Sequence, residues 1–281
     1  MTRLRAPAKL TTSLRVLGRR EDGYHLLDAE MVSLDLADEL VLDEHANGFE
    51  VRDEVAWAGL PGTAQAEPPT VSEEPGHNLV ERALALCGRQ AACLLVKRIP
   101  AGAGLGGGSA DAAAILRWAG VPDLALAARL GADVPFCVVG GRARVRGIGE
   151  VVEPLATDDQ TAYLLVTPRL HVSTPVVYAA FDELGGPSGR LGNDLEPAAL
   201  AAYPELRWWR DLMGAATGEP PRLAGSGGTW FVSAKAASRA RLSDLAEQIR
   251  GEIVAGRESA FVTTATTVGP EVAPAPSAST S

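Results

Sequence analysis

The chain's best candidate for chemistry is Ile99-Pro-Ala-Gly102-Ala-Gly104-Leu-Gly106-Gly107-Gly108-Ser109, which follows an apolar run, Cys93-Leu-Leu-Val96, and opens the alanine-rich Ser109-Ala-Asp-Ala-Ala-Ala-Ile-Leu-Arg-Trp118. Glycines at this density let successive backbone N–H groups converge, and the unpaired donors of a helix's first turn add their dipole, so the segment suits an anion. A phosphate chain is the natural ligand. A flexible linker fits poorly between an apolar strand and a strong helix former. Gly102, Gly104 and Gly107 match G-x-G-x-x-G, but a dinucleotide fold wants a strand ending in an acidic residue about 20 positions on. Asp123 instead follows Val121-Pro122 at a helix start, and no lysine stands where a Walker A loop needs one.

Other residues have the types to serve such a ligand. Ser109, at the helix start, can cap the helix or reach a phosphate oxygen or its metal. Asp133 lies between Gly131-Ala and Val-Pro-Phe-Cys137, an apolar setting where a carboxylate is costly without a partner. On residue type alone it reads first as a turn or cap residue. Tyr24 and His25 follow a Glu-Asp-Gly turn, and such an adjacent pair of polar-capable rings is less typical of a core. Basic residues are lopsided: three lysines (Lys9, Lys97, Lys235) stand against 23 arginines.

The elements that must position these groups alternate. Leu4–Val16 reads as extended, broken by Pro7, and short strands are expected around Glu30–Leu34, Glu39–Leu42 and Phe49–Arg52. The proline-rich Leu60–Gly76 reads as a surface excursion. Asn78 caps an amphipathic helix with apolar residues at 79, 80, 83, 84, 86 and 87. Strand Cys93–Val96, helix Ser109–Trp118, a helix near Leu124–Leu130, strand Arg142–Arg146 and a Gly147–Glu150 turn follow. Past a polar boundary near Pro154–Gln160 come strand Tyr163–Val166, helix Thr174–Leu184, helices between Asp194 and Met213, strand Thr229–Val232, helix Ala234–Arg250 and strand Ala260–Thr264. This is an α+β pattern, and the stretch from Val268 onward reads as a disordered tail.

Composition sets the outer limits. At 281 residues, about two domains fit, and 46% hydrophobic with 22% charged is ordinary globular usage. A net charge of −9 disfavours nucleic acid and anionic membranes as partners. With no apolar run of about 18 residues and no secretion signal, a cytoplasmic protein is expected, monomer or homodimer. Cys87, Cys93 and Cys137 lack metal-ligand spacing and read as reduced core thiols.

Together these residues resemble a known family. Pro100-Ala-Gly-Ala-Gly-Leu-Gly-Gly-Gly-Ser109-Ala110-Asp-Ala-Ala looks like the ATP loop of the GHMP kinases. Ala6-Pro-Ala-Lys9-Leu, Arg20-Glu-Asp-Gly-Tyr24-His25-Leu, Lys97-Arg-Ile-Pro, Leu130-Gly-Ala-Asp133-Val-Pro-Phe, Gly147-Ile-Gly-Glu150, Ser173-Thr-Pro-Val-Val-Tyr178 and Gly225-Ser226-Gly227 narrow it. In order and spacing they are similar to the 4-diphosphocytidyl-2-C-methyl-D-erythritol kinases. The resemblance implies a two-domain GHMP kinase fold. Residues 1–157 would resemble ribosomal protein S5 domain 2, residues 158–267 a ferredoxin-like domain, and 268–281 the tail.

It also implies ATP with Mg²⁺, a small-molecule substrate and a kinase of the non-mevalonate isoprenoid pathway, the alternatives being another GHMP small-molecule kinase or a non-catalytic nucleotide-binding module. Asp133 becomes the base for the substrate hydroxyl, with Lys9 its cationic neighbour. Asn78, Lys97 and the residues from Pro100 through Ala101, Gly102, Ala103, Gly104, Leu105, Gly106, Gly107, Gly108 and Ser109 to Ala110 become ATP contacts, with Ser109 also on Mg²⁺. Tyr24 and His25 become the cytosine pocket, Tyr178 its second stacking face, and Gly225, Ser226 and Gly227 a phosphate loop. Thr11 stands near the substrate where the family usually has Asn, and Met31 where a pocket aromatic is common.

Overall fold

The computed structural model describes residues 1–59, 78–156, 161–256 and 258–271. The proline-rich 60–76 excursion and most of the favoured domain boundary lie outside them. The described chain opens with a long antiparallel hairpin, β1 (Thr2–Arg19) and β2 (His25–Asp43), paired from Thr2 opposite Leu42 to Arg19 opposite His25 with three register shifts between. Pro7 does not break the first strand, and the two short strands expected between Glu30 and Leu42 are one. A bulge between Pro7 and Lys9 takes up the missing donor of proline and re-aims the strand at Lys9.

There follow β3 (Phe49–Asp53), β4 (Trp57–Gly59), α1 (Leu79–Leu86), β5 (Ala92–Lys97), α2 (Gly107–Trp118), α3 (Leu124–Leu130), α4 (Val134–Val139), β6 (Arg142–Gly147), β7 (Val151–Leu155), β8 (Thr161–Pro168), α5 (Thr174–Glu183), α6 (Glu196–Ala202), α7 (Leu206–Thr217), β9 (Arg222–Leu223), β10 (Trp230–Lys235), α8 (Arg239–Gly256) and β11 (Ser259–Val268). Among the described residues the sheet runs β3-β5-β2-β11-β8-β10-β9, with β1 and β6 also on β2, β7 on β6 and β4 on β11. Among the named strands of the described residues, only the β3–β5 pair is parallel. The fold is mixed α and β, as the alternating pattern predicts.

Two boundaries move. The last helix starts at Arg239 and not Ala234, because Ala234 and Lys235 pair with Ala162 and Thr161 in the sheet. Sheet pairing overrides helical propensity there. The tail does not start at Val268, which pairs with Ser33, and Glu271 still bonds Arg5; the remaining tail, 272–281, lies outside the described residues.

α2 presents Ala110, Ala112, Ala113 and Ala114 to the core, small side chains that let it lie close to β1 and β2. A second cluster, Leu10, Leu34, Ile99, Leu105, Leu165 and Phe231, draws on both halves of the chain and sits beneath the glycine loop. Burial of such a side chain contributes about 1.5–3 kcal/mol, so the loop rests on a stable floor.

Candidate active site

The strand β5 ends at Lys97, and the chain then turns through the glycine loop into α2. Gly102, Gly104 and Gly106 all take positive φ, at 69°, 77° and 69°, so the loop alternates in hand and Gly106 becomes the helix N-cap. Ser109 is therefore the third residue of α2 and not its cap. Pro100, Ala101, Gly102, Ala103, Gly104, Gly106, Gly107, Gly108 and Ser109 line a cavity of about 600 Å³. Leu105 and Ala110, expected as ATP contacts, are not among the lining residues; both are buried. Asn78 lines the same cavity and its Oδ1 accepts from Val80 N at 2.9 Å, so it caps α1 as expected.

A second cavity, about 620 Å³, is lined by Lys9, Thr11, Tyr24, His25, Met31, Tyr178, Gly225 and Ser226. Both volumes fall in the range of small-molecule sites. Ser109, Asp133, Thr174 and Pro175 line both, so the two spaces meet at Ser109 and Asp133. Lys9 Nζ is 3.1 Å from Asp133 Oδ2 and 3.3 Å from Thr11 Oγ1. The Lys9 backbone N–H donates to Leu105 O at 2.9 Å, and its stem crosses Gly106 so closely that a Cβ there would lie 2.6 Å from Cγ. The strand bulge and the loop thus fix the ammonium beside the carboxylate. Behind Asp133, Gly149 of the Gly147–Glu150 turn packs on the Ala132 carbonyl. Cys137, four residues on, is no nucleophile: burial pushes its thiol up to about 12.

Lys97, expected to contact ATP, lines the glycine-loop cavity and is held there by acids. Its ammonium is buried under Gly107 and bonds two carboxylates, Asp38 and, at 2.7 Å, Asp111 Oδ2. Asp38 also accepts the backbone N–H groups of Arg98, at 2.5 Å, and Ile99, at 2.8 Å. Burial alone would lower the lysine, but Asp111 and Asp38 outweigh it and hold it above its ordinary value. Burial drives Asp111 the other way, up to about 7, against the pull of Lys97. The lysine anchors the entry to the loop from below. Asp111 lies inside the glycine-loop motif, which gives it no role, and Asp38 carries no motif; its one signal is a charge inside an apolar stretch.

The Gly225-Ser226-Gly227 loop closes on the glycine loop from the opposite side. An added Cβ on Gly104 would sit 2.8 Å from Gly227 Cα, and one on Gly227 2.4 Å from Gly104 Cα, so the two backbones touch and neither position tolerates a side chain. Thr229 Oγ1 donates to Ala103 O at 2.6 Å, tying the same two segments. Ser226 Oγ pairs with Thr174 Oγ1 at 2.8 Å at the start of α5. The buried Asn193 holds the loop's backbone: its Nδ2 donates to Leu223 O at 2.9 Å and Gly225 O at 2.7 Å, while its Oδ1 accepts from Leu195 N at 3.0 Å.

The second cavity brings together Tyr24, His25 and Tyr178, the three residues expected to form the cytosine pocket. His25 stacks on Tyr178, at 4.7 Å and 25° between rings, with Phe181 edge-on at 6.0 Å. Tyr24 is 60% exposed at the cavity edge, in place to cover a ring lying there. Burial, and next the negative charge of Asp133, raise the Tyr178 phenol, which stays protonated. Lys235, the third lysine, is at the end of β10 and lines neither cavity.

Comparison with known proteins agrees with this geometry. Residues 78–141 match the GHMP kinases N terminal domain. The 4-diphosphocytidyl-2-C-methyl-D-erythritol kinase of Paracoccus denitrificans (strain Pd 1222) is 38% identical over 84% of this chain and 89% of that protein. A crystal structure of a 4-(cytidine 5'-diphospho)-2C-methyl-D-erythritol kinase superposes with a TM-score of 0.71 at 34% identity, covering 95% of this chain and all of that one. The L. major mevalonate kinase in complex with R-mevalonate, at 14% identity and a TM-score of 0.63 over 97% of each chain, shares the fold.

Proposed function

Since the chain belongs to the 4-diphosphocytidyl-2-C-methyl-D-erythritol kinase family of GHMP kinases, phosphotransferases with an alcohol acceptor, we propose that it transfers the γ-phosphoryl group of ATP to the 2-hydroxyl of 4-diphosphocytidyl-2-C-methyl-D-erythritol in the non-mevalonate pathway. The observation that carries this reading is the meeting of two ligand-sized cavities at Ser109 and Asp133, with Lys9 at 3.1 Å. ATP in the glycine-lined space points its phosphates at that junction, and the cytidyl substrate in the other brings its hydroxyl to the same place. The hydroxyl oxygen bonds the γ-phosphorus, the bond to the β-γ bridging oxygen breaks, and ADP leaves. Asp133 receives the hydroxyl proton, and Lys9 keeps that carboxylate oriented and faces the transferring phosphoryl with its charge.

The donor set fits a metal carried by the nucleotide. Ser109 and Asp133 offer hard oxygen donors at the junction, and no cluster of three or more His, Cys, Asp or Glu among the described residues is arranged to hold an ion alone. Mg²⁺ bound there with ATP supplies charge neutralisation on the phosphates. Asn78 and the loop hold the nucleotide, Tyr24, His25 and Tyr178 the cytosine, and Gly225–Gly227 covers the phosphates. The antiparallel β10-β8-β11 group with α7 and α8 supports a ferredoxin-like domain from about residue 158, and the elements before it an S5-like domain. No helix among the described residues is long and apolar enough to cross a membrane.

ADP release with the cytidyl substrate tests the reading. Wild type turns over, Asp133→Asn lowers kcat by roughly 10²–10⁴, and Lys9→Ala lowers it by about 10²–10³. An absence of turnover by wild type that still binds ATP refutes the kinase and leaves a nucleotide-binding module; turnover only with other alcohols refutes the substrate.

A further inference from the structure

α5 presents three side chains to His25. Tyr178, Phe181 and Asp182 lie at i, i+3 and i+4, on one face of the helix. The Tyr178 stack sets the plane of the imidazole, and Asp182 sets its rotation within that plane: Asp182 Oδ1 is 2.7 Å from His25 Nε2. The other oxygen, Oδ2, is 3.1 Å from Arg19 Nη1, at the end of β1. Asp182 thus faces Arg19 with one oxygen and His25 with the other, and toward His25 a carboxylate oxygen is a hydrogen-bond acceptor. An acceptor at that position requires the proton on Nε2. His25 lines the second cavity, and none of the described residues bonds Nδ1.

Resting on the substrate reading above, we propose that Asp182, held by Arg19, is a positioning residue that fixes His25 as the Nε2–H tautomer, leaving Nδ1 as an acceptor that selects cytosine over uracil. The two bases differ where it matters. Cytosine carries an amino group at C4, a donor, and uracil carries an oxygen, an acceptor. A ring nitrogen with a lone pair accepts from the first and repels the second. Specificity then comes as much from the unpaired acceptors facing uracil as from the bond to cytosine. The acid on α5 lies more than 150 residues from His25 in sequence, so the base-reading atom is set by a residue from the other half of the chain.

Binding of CMP and UMP by calorimetry, with ¹⁵N NMR of the histidine ring, tests this without using turnover. Wild type shows Nε2–H with an unprotonated Nδ1 and binds CMP roughly tenfold to a hundredfold more tightly than UMP, the range of one hydrogen bond exchanged for an unpaired acceptor. Asp182→Ala removes the acceptor and narrows that ratio at least tenfold. Asp182→Asn can donate to Nε2, moves the proton toward Nδ1 and shifts preference toward UMP. In steady state the same variants raise KM for the cytidyl substrate and leave KM for ATP within about twofold, a split that general loosening of the fold does not produce. Nδ1–H in the wild type, equal binding of the two nucleotides, or a ratio unmoved in both variants overturns the proposal. The NMR reading on wild type stands even where a variant fails to fold. If wild type prefers CMP in this Asp182-dependent way but releases no ADP, the kinase reading fails and this one holds.

Discussion

Replacing Gly104 by alanine separates backbone contact from sequence pattern. The residue has φ of 77°, and an added Cβ would lie 2.8 Å from Gly227 Cα and 3.1 Å from Ala224 O, both rigid backbone. The left-handed conformation costs an alanine about 1–2 kcal/mol, and forcing a methyl into a filled space costs about 1–3 kcal/mol more. The sum, about 2–5 kcal/mol, lowers the Tm by roughly 3–9 °C for a protein of this size. Relief requires the Gly225–Gly227 loop to retreat by about half an ångström or more, and misplacement on that scale costs roughly tenfold to a hundredfold in kcat/KM for ATP. Gly108→Ala is the control: its Cβ would meet only Leu79 Cδ1, at 3.4 Å, in the first turn of α2. There alanine gains helix propensity, up to about 1 kcal/mol, and the Tm holds or rises. Differential scanning fluorimetry and ADP release report both. Equal behaviour of the two variants, or an unchanged Tm in Gly104→Ala, refutes the contact between the loops as the reason for glycine.

Asn193→Ala leaves the carbonyls of Leu223 and Gly225 without their donor, so KM for ATP rises and stability falls by about 1–3 kcal/mol, measured by urea unfolding. Asp111 has a folded pKa raised from 3.8 to about 7, chiefly by burial, so its ionisation costs stability progressively as pH rises between those values. Asp111→Asn removes that cost, and its Tm relative to wild type rises from pH 5 to pH 8; a difference that is flat or falls with pH contradicts the assignment. Gly251→Ala, mid-helix in α8 with nothing within 4 Å of its new methyl, stabilises by up to about 1 kcal/mol without changing turnover.

The glycine loop and its helix are legible because their signal is local: alternating small residues, then alanines. Asp133 beside Lys9 is legible only through motif resemblance, since their ion pair spans 124 positions and no spacing rule reaches that far. Lys97 shows the limit from the other side. Its place before the loop and in the cavity wall is legible, but the two acids that hold it, Asp38 and Asp111, look in the sequence like a strand interruption and a helix surface charge. The long hairpin was hidden for the same reason. Pro7 and the run Asp35-Leu-Ala-Asp38-Glu39 break the expected alternation, and the bulge and the buried ion pair that accommodate them are long-range features. Asp182 reads as an ordinary helix-end acid until α5 is placed against the hairpin.

β11 pairs with β8 along its length, with β4 at its start and with β2 at Thr267 and Val268, yet it is the last strand of the described residues. During synthesis, therefore, β8 waits with one edge unpaired, and the two halves that form the cleft have no shared strand until the ribosome has passed residue 268. Such an edge invites pairing with a neighbouring nascent chain. The strand that joins the two halves can form only once residues 259–268 are available to pair with both β8 and β2.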